Sequence, residues 1–194
     1  HYTGMVFIMK LSSKIIAGFL VIAAMGWFLG IVGLIAIQGA SRLSDEQEVI
    51  RVSYADAANV LSAHYEWRHS LTMAVSSGDE FTGSTDPATC ALGKWLTSDS
   101  SKTDDAELAS LFAAVKEPHD YIHHEAEKIN TLIAAGKQHE AIKAFEENIL
   151  PRTNETISLI GQIEHRYETL SAEKAIDTAR VLTIVVWLVV CILL

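Results

Sequence analysis

The chain is poor in cysteine and proline, with two and three residues in 194. One cysteine, Cys191, lies in an apolar run, so Cys90 has no thiol partner in the polar part of the chain, and a disulfide framework is excluded there. The period-two alternation of β-branched residues that marks strands is missing. Cations are in deficit, with 15 Lys and Arg against 24 Asp and Glu. All of the acids and all but two of the cations fall in residues 38–180. A surface of that sign argues against nucleic acid and anionic lipid as partners. Several catalytic signatures are also lacking: no H-E-x-x-H, no P-loop, no G-x-S-x-G and no C-x-x-C-H.

Long apolar runs are present. Ile15–Ile37 is a stretch of 23 residues without a charge, about 34 Å as a helix and enough to cross a hydrocarbon core of about 30 Å. No small-residue cleavage site follows it, so it reads as an uncleaved transmembrane helix, not a signal peptide. A second run, residues 181–194, covers about 21 Å and reads as the start of a second transmembrane helix that continues beyond this chain. MKLSSKIIAGF from Met9 has the look of a natural start. Lys10 and Lys14 precede the first run, whereas Asp45, Glu46 and Glu48, with one Arg42, follow it. The positive-inside rule then predicts a cytoplasmic N-terminus, residues 1–14, and an extracytoplasmic segment, residues 38–180.

That segment is patterned for helices throughout. Val60, Leu61, His64, Trp67 and Leu71 mark a first apolar seam. A second runs through Leu108, Leu111, Phe112 and Val115 to Ile122, Ala126, Ile129 and Ile133. A third runs from Ile142 and Phe145 through Ile149, Ile157, Ile160 and Ile163 to Tyr167 and Leu170. Loops are marked at residues 76–87, 97–105 and 135–138, with a short helix at about 88–96. The expected fold is all-α, an antiparallel four-helix bundle whose first and last helices are continuous with the transmembrane helices. Pro118 and Pro151 fall inside helical patterns, where each is expected to kink its helix.

Helical spacing sorts the histidines. His119 and His123 are four residues apart on the seam of Phe112, Val115 and Ala126, and His64 continues Val60 toward Trp67. His124 is rotated about 100° from His123, and His69 lies about 140° off its seam. His139 sits at a loop exit and His165 on a polar face. Three histidines on two helices therefore face inward. An inward histidine is ordinarily a hydrogen-bonded core residue. An i,i+4 pair with a third imidazole and a lone thiol also suits a closed tetrahedral zinc site. The residue types leave both readings open.

Three motifs carry a resemblance: H-x-x-W at His64–Trp67, C-x-L-G-K-W-L at Cys90–Leu96, and H-x-x-x-H at His119–His123. In this order and spacing they resemble the chemoreceptor zinc-binding (CZB) domain, over about residues 55–170. The resemblance implies a four-helix bundle holding one Zn2+ through His64, Cys90, His119 and His123. The family is mostly attached to chemotaxis receptors and diguanylate cyclases, and many members are cytoplasmic. The opening KLSSKIIAGFLVIAAM is similar to the first membrane helix of methyl-accepting chemotaxis proteins. Those resemblances imply a sensory input domain in a bacterial inner membrane; the flanking charges put residues 38–180 on the periplasmic side, a departure from the family's common placement. The resemblances also imply a homodimer, downstream cytoplasmic signalling domains beyond this chain, and no enzyme activity. The residues leave two other readings: a bundle sensing a small organic ligand, and a zinc hydrolase. Four protein ligands would leave the hydrolase no open position for water. Gly93 is expected at a close backbone approach, Trp67 and Trp95 as walls of the site, and Glu66, Asp120 and Glu125 as nearby carboxylates.

Overall fold

The structure, a computed structural model, describes the backbone of residues 2–193 and the side chains of residues 13–191. It is all-helical, with no strand among the described residues. The order is α1 (Tyr2–Ser77), α2 (Ala91–Thr97), a 3-10 turn (Asp99–Ser101), α3 (Ala106–Ala134), α4 (Gln138–Ala144), a π turn (Phe145–Ile149) and α5 (Leu150–Leu193).

Residues 48–173 form one compact unit. Two apolar clusters fill it. The first joins Ala57 and Val60 of α1 to Leu92 and Trp95 of α2, Leu108, Phe112 and Val115 of α3, and Ile160, Ile163 and Tyr167 of α5. The second joins Leu71, Ala74 and Val75 of α1 to Phe81, to Ile122, Ala126 and Ile129 of α3, and to Ala141, Phe145 and Ile149. Between the clusters the buried side chains turn polar: His64, His119 and His123, with Thr153 and Thr156 on α5. The apolar seams read from the sequence are thus interrupted at one level, by the same three histidines.

The helix ends follow local chemistry. Asp105 caps α3 by accepting a bond from Leu108 N–H at 2.9 Å, and its carboxylate also takes the Arg166 guanidinium of α5 at 2.7 Å. Gly78 and Gly136, with φ of 79° and 70°, supply the left-handed residues after α1 and between α3 and α4. Helix α3 runs unbroken through Pro118. The last helical pattern is not one element. It is divided by the π turn just before Pro151. Proline has no N–H to give back to the preceding turn, and the wider turn, closed by Leu150 N–H on Phe145 O, absorbs the missing bond.

The second unit holds the helix segments up to Gln47 and from Lys174. Within it Lys174 pairs with Glu46 at 2.5 Å, and Gln47 donates to the Thr178 hydroxyl at 3.5 Å. Among the described residues one helix is long and apolar enough to cross a membrane, α1, by its stretch from Ser13. Its large apolar side chains are exposed, with Trp27 at 76% and Phe19 at 70%, which no aqueous core explains. The side chain of Lys10, one of the two cations ahead of this run, lies outside the described residues.

Candidate metal centre

The elements that supply the candidate ligands do so for separate local reasons. On α1, His64 follows Val60 by one turn and takes the core-facing position at 2% exposure. On α3, His119 and His123 share a face and are fully buried. Cys90 is the residue before α2, where its Sγ accepts the Gly93 N–H at 3.3 Å. That seat depends on glycine. A Cβ on Gly93 would lie 1.9 Å from the Pro87 carbonyl oxygen, so the expected close approach is backbone on backbone.

The four side chains converge. One ligand-type atom from each of His64, Cys90, His119 and His123 lies within 4.8 Å of all the others. The rings of His119 and His123 are 4.7 Å apart, and those of His64 and His119 are 5.4 Å apart. His119 Nε2 stands 3.0 Å from Cys90 Sγ. Among the described residues the other histidines, His69, His124, His139 and His165, are exposed.

The hydrogen bonds fix the tautomers. His64 Nδ1 lies 2.9 Å from Val60 O, and His123 Nδ1 lies 2.9 Å from Ser84 O. A carbonyl only accepts, so each Nδ1 carries the proton and each Nε2 presents a bare lone pair. Both of these Nε2 atoms are buried without a hydrogen-bond partner. Protonating them is opposed. Burial holds the His64 pKa below the ordinary value. Burial first, then the neighbouring His123 and His64, push His119 down to about 3. Burial also takes His123 down to about 4. The Cys90 thiol is pushed up, mainly by burial, against the opposing pull of the Gly93 and Leu92 N–H groups.

Neutral imidazole lone pairs gathered beside a thiol, those of His64 and His123 without any partner, are what a cation stabilises. The group fits a metal on donor chemistry as well, since imidazole and thiolate are zinc ligands and four of them close a structural site.

The surroundings differ in part from the expectation. Trp67 does wall the layer: its ring is 4.9 Å from His123, and its Nε1–H donates to Ser84 O at 2.8 Å. Trp95 packs on Phe112 and Tyr167 in the first apolar cluster, against which Cys90 also packs. Of the three nearby carboxylates only Asp120 approaches, at 3.5 Å from His119 Nδ1, an ion-pair distance without a hydrogen bond. Glu125 pairs with Lys128. The partners that orient His64 and His123 are backbone carbonyls, Val60 and Ser84, which no side-chain pattern reveals.

Comparison with protein families agrees with this geometry. The model of the chemoreceptor zinc-binding domain matches residues 64–130. That segment begins at the first histidine of the layer and contains the other three residues. This part of the chain is a CZB domain. The family binds zinc, and the His-Cys-His-His group is placed to hold a metal ion. The match covers about a third of the chain and leaves both apolar runs outside it. Comparisons with curated proteins and with solved structures found no match.

Proposed function

We propose that this chain is the sensory part of a membrane signal transducer, built as an antiparallel four-helix bundle around one zinc ion held by His64, Cys90, His119 and His123. The observation that carries the site is the pair of buried, unpartnered Nε2 lone pairs of His64 and His123, facing Cys90 and His119. The bundle reading is supported by the order in which the elements pass through the two clusters. Helices α1 and α3 go from the first cluster to the second, and the last helical stretch returns from the second to the first. The loop after α1 meets the second cluster at Phe81, and α2 meets the first at Leu92, so that connection returns as well.

When bound, zinc would supply a cross-link among α1, α2 and α3 and hold the thiol as thiolate. The protein's own residues do the rest. Val60 and Ser84 keep the imidazoles in the binding tautomer, and Trp67 and the apolar clusters exclude water. In this reading the stimulus is zinc itself or an oxidant acting on the thiolate. The response is a shift of the last helix within a homodimer, passed to signalling domains outside this chain. Four protein ligands leave no open position for substrate, so the domain regulates and does not catalyse.

Zinc content decides the site. Native mass spectrometry should find one zinc per chain, most of it lost in Cys90→Ala and unchanged in His69→Ala and His124→Ala. Full zinc in a His119→Ala/His123→Ala double variant would sink the assignment. We further place the Ile15–Ile37 stretch across a bacterial inner membrane with residues 38–180 outside the cytoplasm, on the strength of Lys10 and Lys14. CZB domains are generally cytoplasmic, so this placement has its own test. A cysteine introduced at exposed His139 should react with a membrane-impermeant maleimide in intact spheroplasts. Labelling only after lysis would put the domain inside the cell.

A further inference from the structure

The compact unit holds a second feature, apart from the metal layer. A cavity of about 460 Å³ lies among the start of its α1 segment, the 3-10 turn, the first turn of α3, and Tyr167 and Leu170 of α5. None of the four metal-site residues lines it. Its volume falls in the range of small-molecule sites, about 300–1,000 Å³.

The chemistry of the lining narrows the occupant. Ile50, Leu108 and Leu170 give apolar walls. Behind Tyr167 stands an aromatic stack, with the Trp95 ring 6.5 Å away and Phe112 5.0 Å beyond that. Two hydroxyls are set into these walls. Ser53 and Tyr167 both line the cavity and are each 5% exposed. The charges at the rim cancel locally. Glu48 takes both bonds of the Arg51 guanidinium, at 2.9 and 2.7 Å, and Lys102 holds Asp99 at 2.6 Å. No uncompensated charge is left to recruit an ion. An apolar chamber with one buried polar pair orients a molecule of matching pattern.

We propose that this cavity binds a small uncharged molecule with an apolar, ring-sized body and one hydroxyl, the body lying against Ile50, Leu108 and Leu170 and the hydroxyl meeting the Ser53–Tyr167 pair. The lining belongs to the first residues of the unit, from Glu48, and to its last turns, at Tyr167 and Leu170. An occupant there holds α1 and α5 to each other. It constitutes an input separate from the metal, and it stands whether or not zinc binds at the histidines.

The test uses the full chain in lipid nanodiscs, titrated with benzyl alcohol and, as the matched probe without a hydroxyl, toluene. The Trp95 indole N–H resonance is followed by NMR, assigned through Trp95→Phe. Benzyl alcohol should give a saturable shift and bind about tenfold tighter than toluene, the worth of one buried hydrogen bond. Ser53→Ala should bring the two probes to near equality. Val52→Trp, at a half-exposed lining position, should fill the chamber and abolish the shift, while melting temperature and zinc content show that the variant is folded. A linear, unsaturating response, equal affinity for the two probes in the unmodified protein, or full binding in a folded Val52→Trp variant would overturn the proposal.

Discussion

Gly93→Ala sets two effects against each other. In a helix interior alanine is favoured over glycine by about 1 kcal/mol. At this position the new Cβ would sit 1.9 Å from Pro87 O, 2.9 Å from Pro87 C and 2.9 Å from Ala88 Cα. All three are backbone atoms of the loop that precedes the thiol, so no side chain can swing aside. Reaching ordinary contact requires α2 and that loop to part by roughly 1.5 Å. With backbone against backbone the parting costs about 2–3 kcal/mol, the upper part of the overpacking range, which outweighs the gain in propensity. It also moves Cys90, whose Sγ is held by the Gly93 N–H at 3.3 Å, away from His119 Nε2 at 3.0 Å. The expected result is a domain destabilised by about 1–2 kcal/mol and a zinc affinity reduced at least tenfold. Chemical denaturation of the metal-free domain reads the first, and competition with a chromophoric chelator reads the second. A Gly93→Ala variant as stable as the parent, with unchanged zinc affinity, would show that the close approach to Pro87 is not a constraint of the fold.

Three further outcomes are expected. The metal-free domain should lose stability in acid. His119 and His123 titrate at about 3 and about 4 when folded and near 6.5 when unfolded, so the unfolded chain takes up protons first. Stability is then complete above about pH 6.5 and falls as pH drops toward 4, each histidine contributing about 1.4 kcal/mol for every pH unit of the fall; a metal-free melting curve flat from pH 7 to pH 4 would refute it. Zinc at 1,000-fold excess over Kd should add about 4 kcal/mol, and a melting temperature indifferent to a strong chelator at neutral pH would contradict the cross-link. Asn130→Ala should loosen the loop over the site, because the Asn130 amide both accepts from Phe81 N–H and donates to Phe81 O, each at 2.9 Å. Hydrogen exchange in residues 79–89 should rise in that variant while the helices stay protected, and unchanged exchange would show that the loop is held elsewhere.

Much of the centre was legible in the sequence because helical periodicity is a geometric statement. An i,i+4 pair on an apolar seam must face inward, and His119 and His123 do. His69 and His124, off their seams, are exposed. What periodicity could not supply was everything mediated by backbone. The carbonyls of Val60 and Ser84 orient two ligands, and a carbonyl is present at every residue, so it leaves no mark. Pro151 signalled a disturbance correctly, yet its form, a π turn placed ahead of the proline, depends on which carbonyls the packing leaves free. Thr153 and Thr156 leave no mark in the sequence, because threonine at a core position is a weak signal in either direction.

Those two threonines bear on how the metal layer addresses the last helix. Both are fully buried, but their hydroxyls are spent on their own helix, Thr153 on Ile149 O at 2.8 Å and Thr156 on Arg152 O at 2.9 Å. Helix α5 therefore lines the polar layer without contributing a ligand to it. Its other ties near this level are Arg68 to Asn154 at 2.8 Å and Arg152 to Glu117 at 3.0 Å. These lie at the surface, where such a pair is worth about 0–1 kcal/mol. The π turn and Pro151, just ahead, remove part of the regular hydrogen bonding that would stiffen this segment. Elements α1, α2 and α3 carry the candidate ligands and would be fixed by an ion. At this level helix α5 is seated by packing and weak polar contacts, while its half-buried Arg166–Asp105 ion pair ties it to the start of α3. A change at the ligands thus reaches α5 through altered packing of the layer, and α5 is the helix that continues to Leu193.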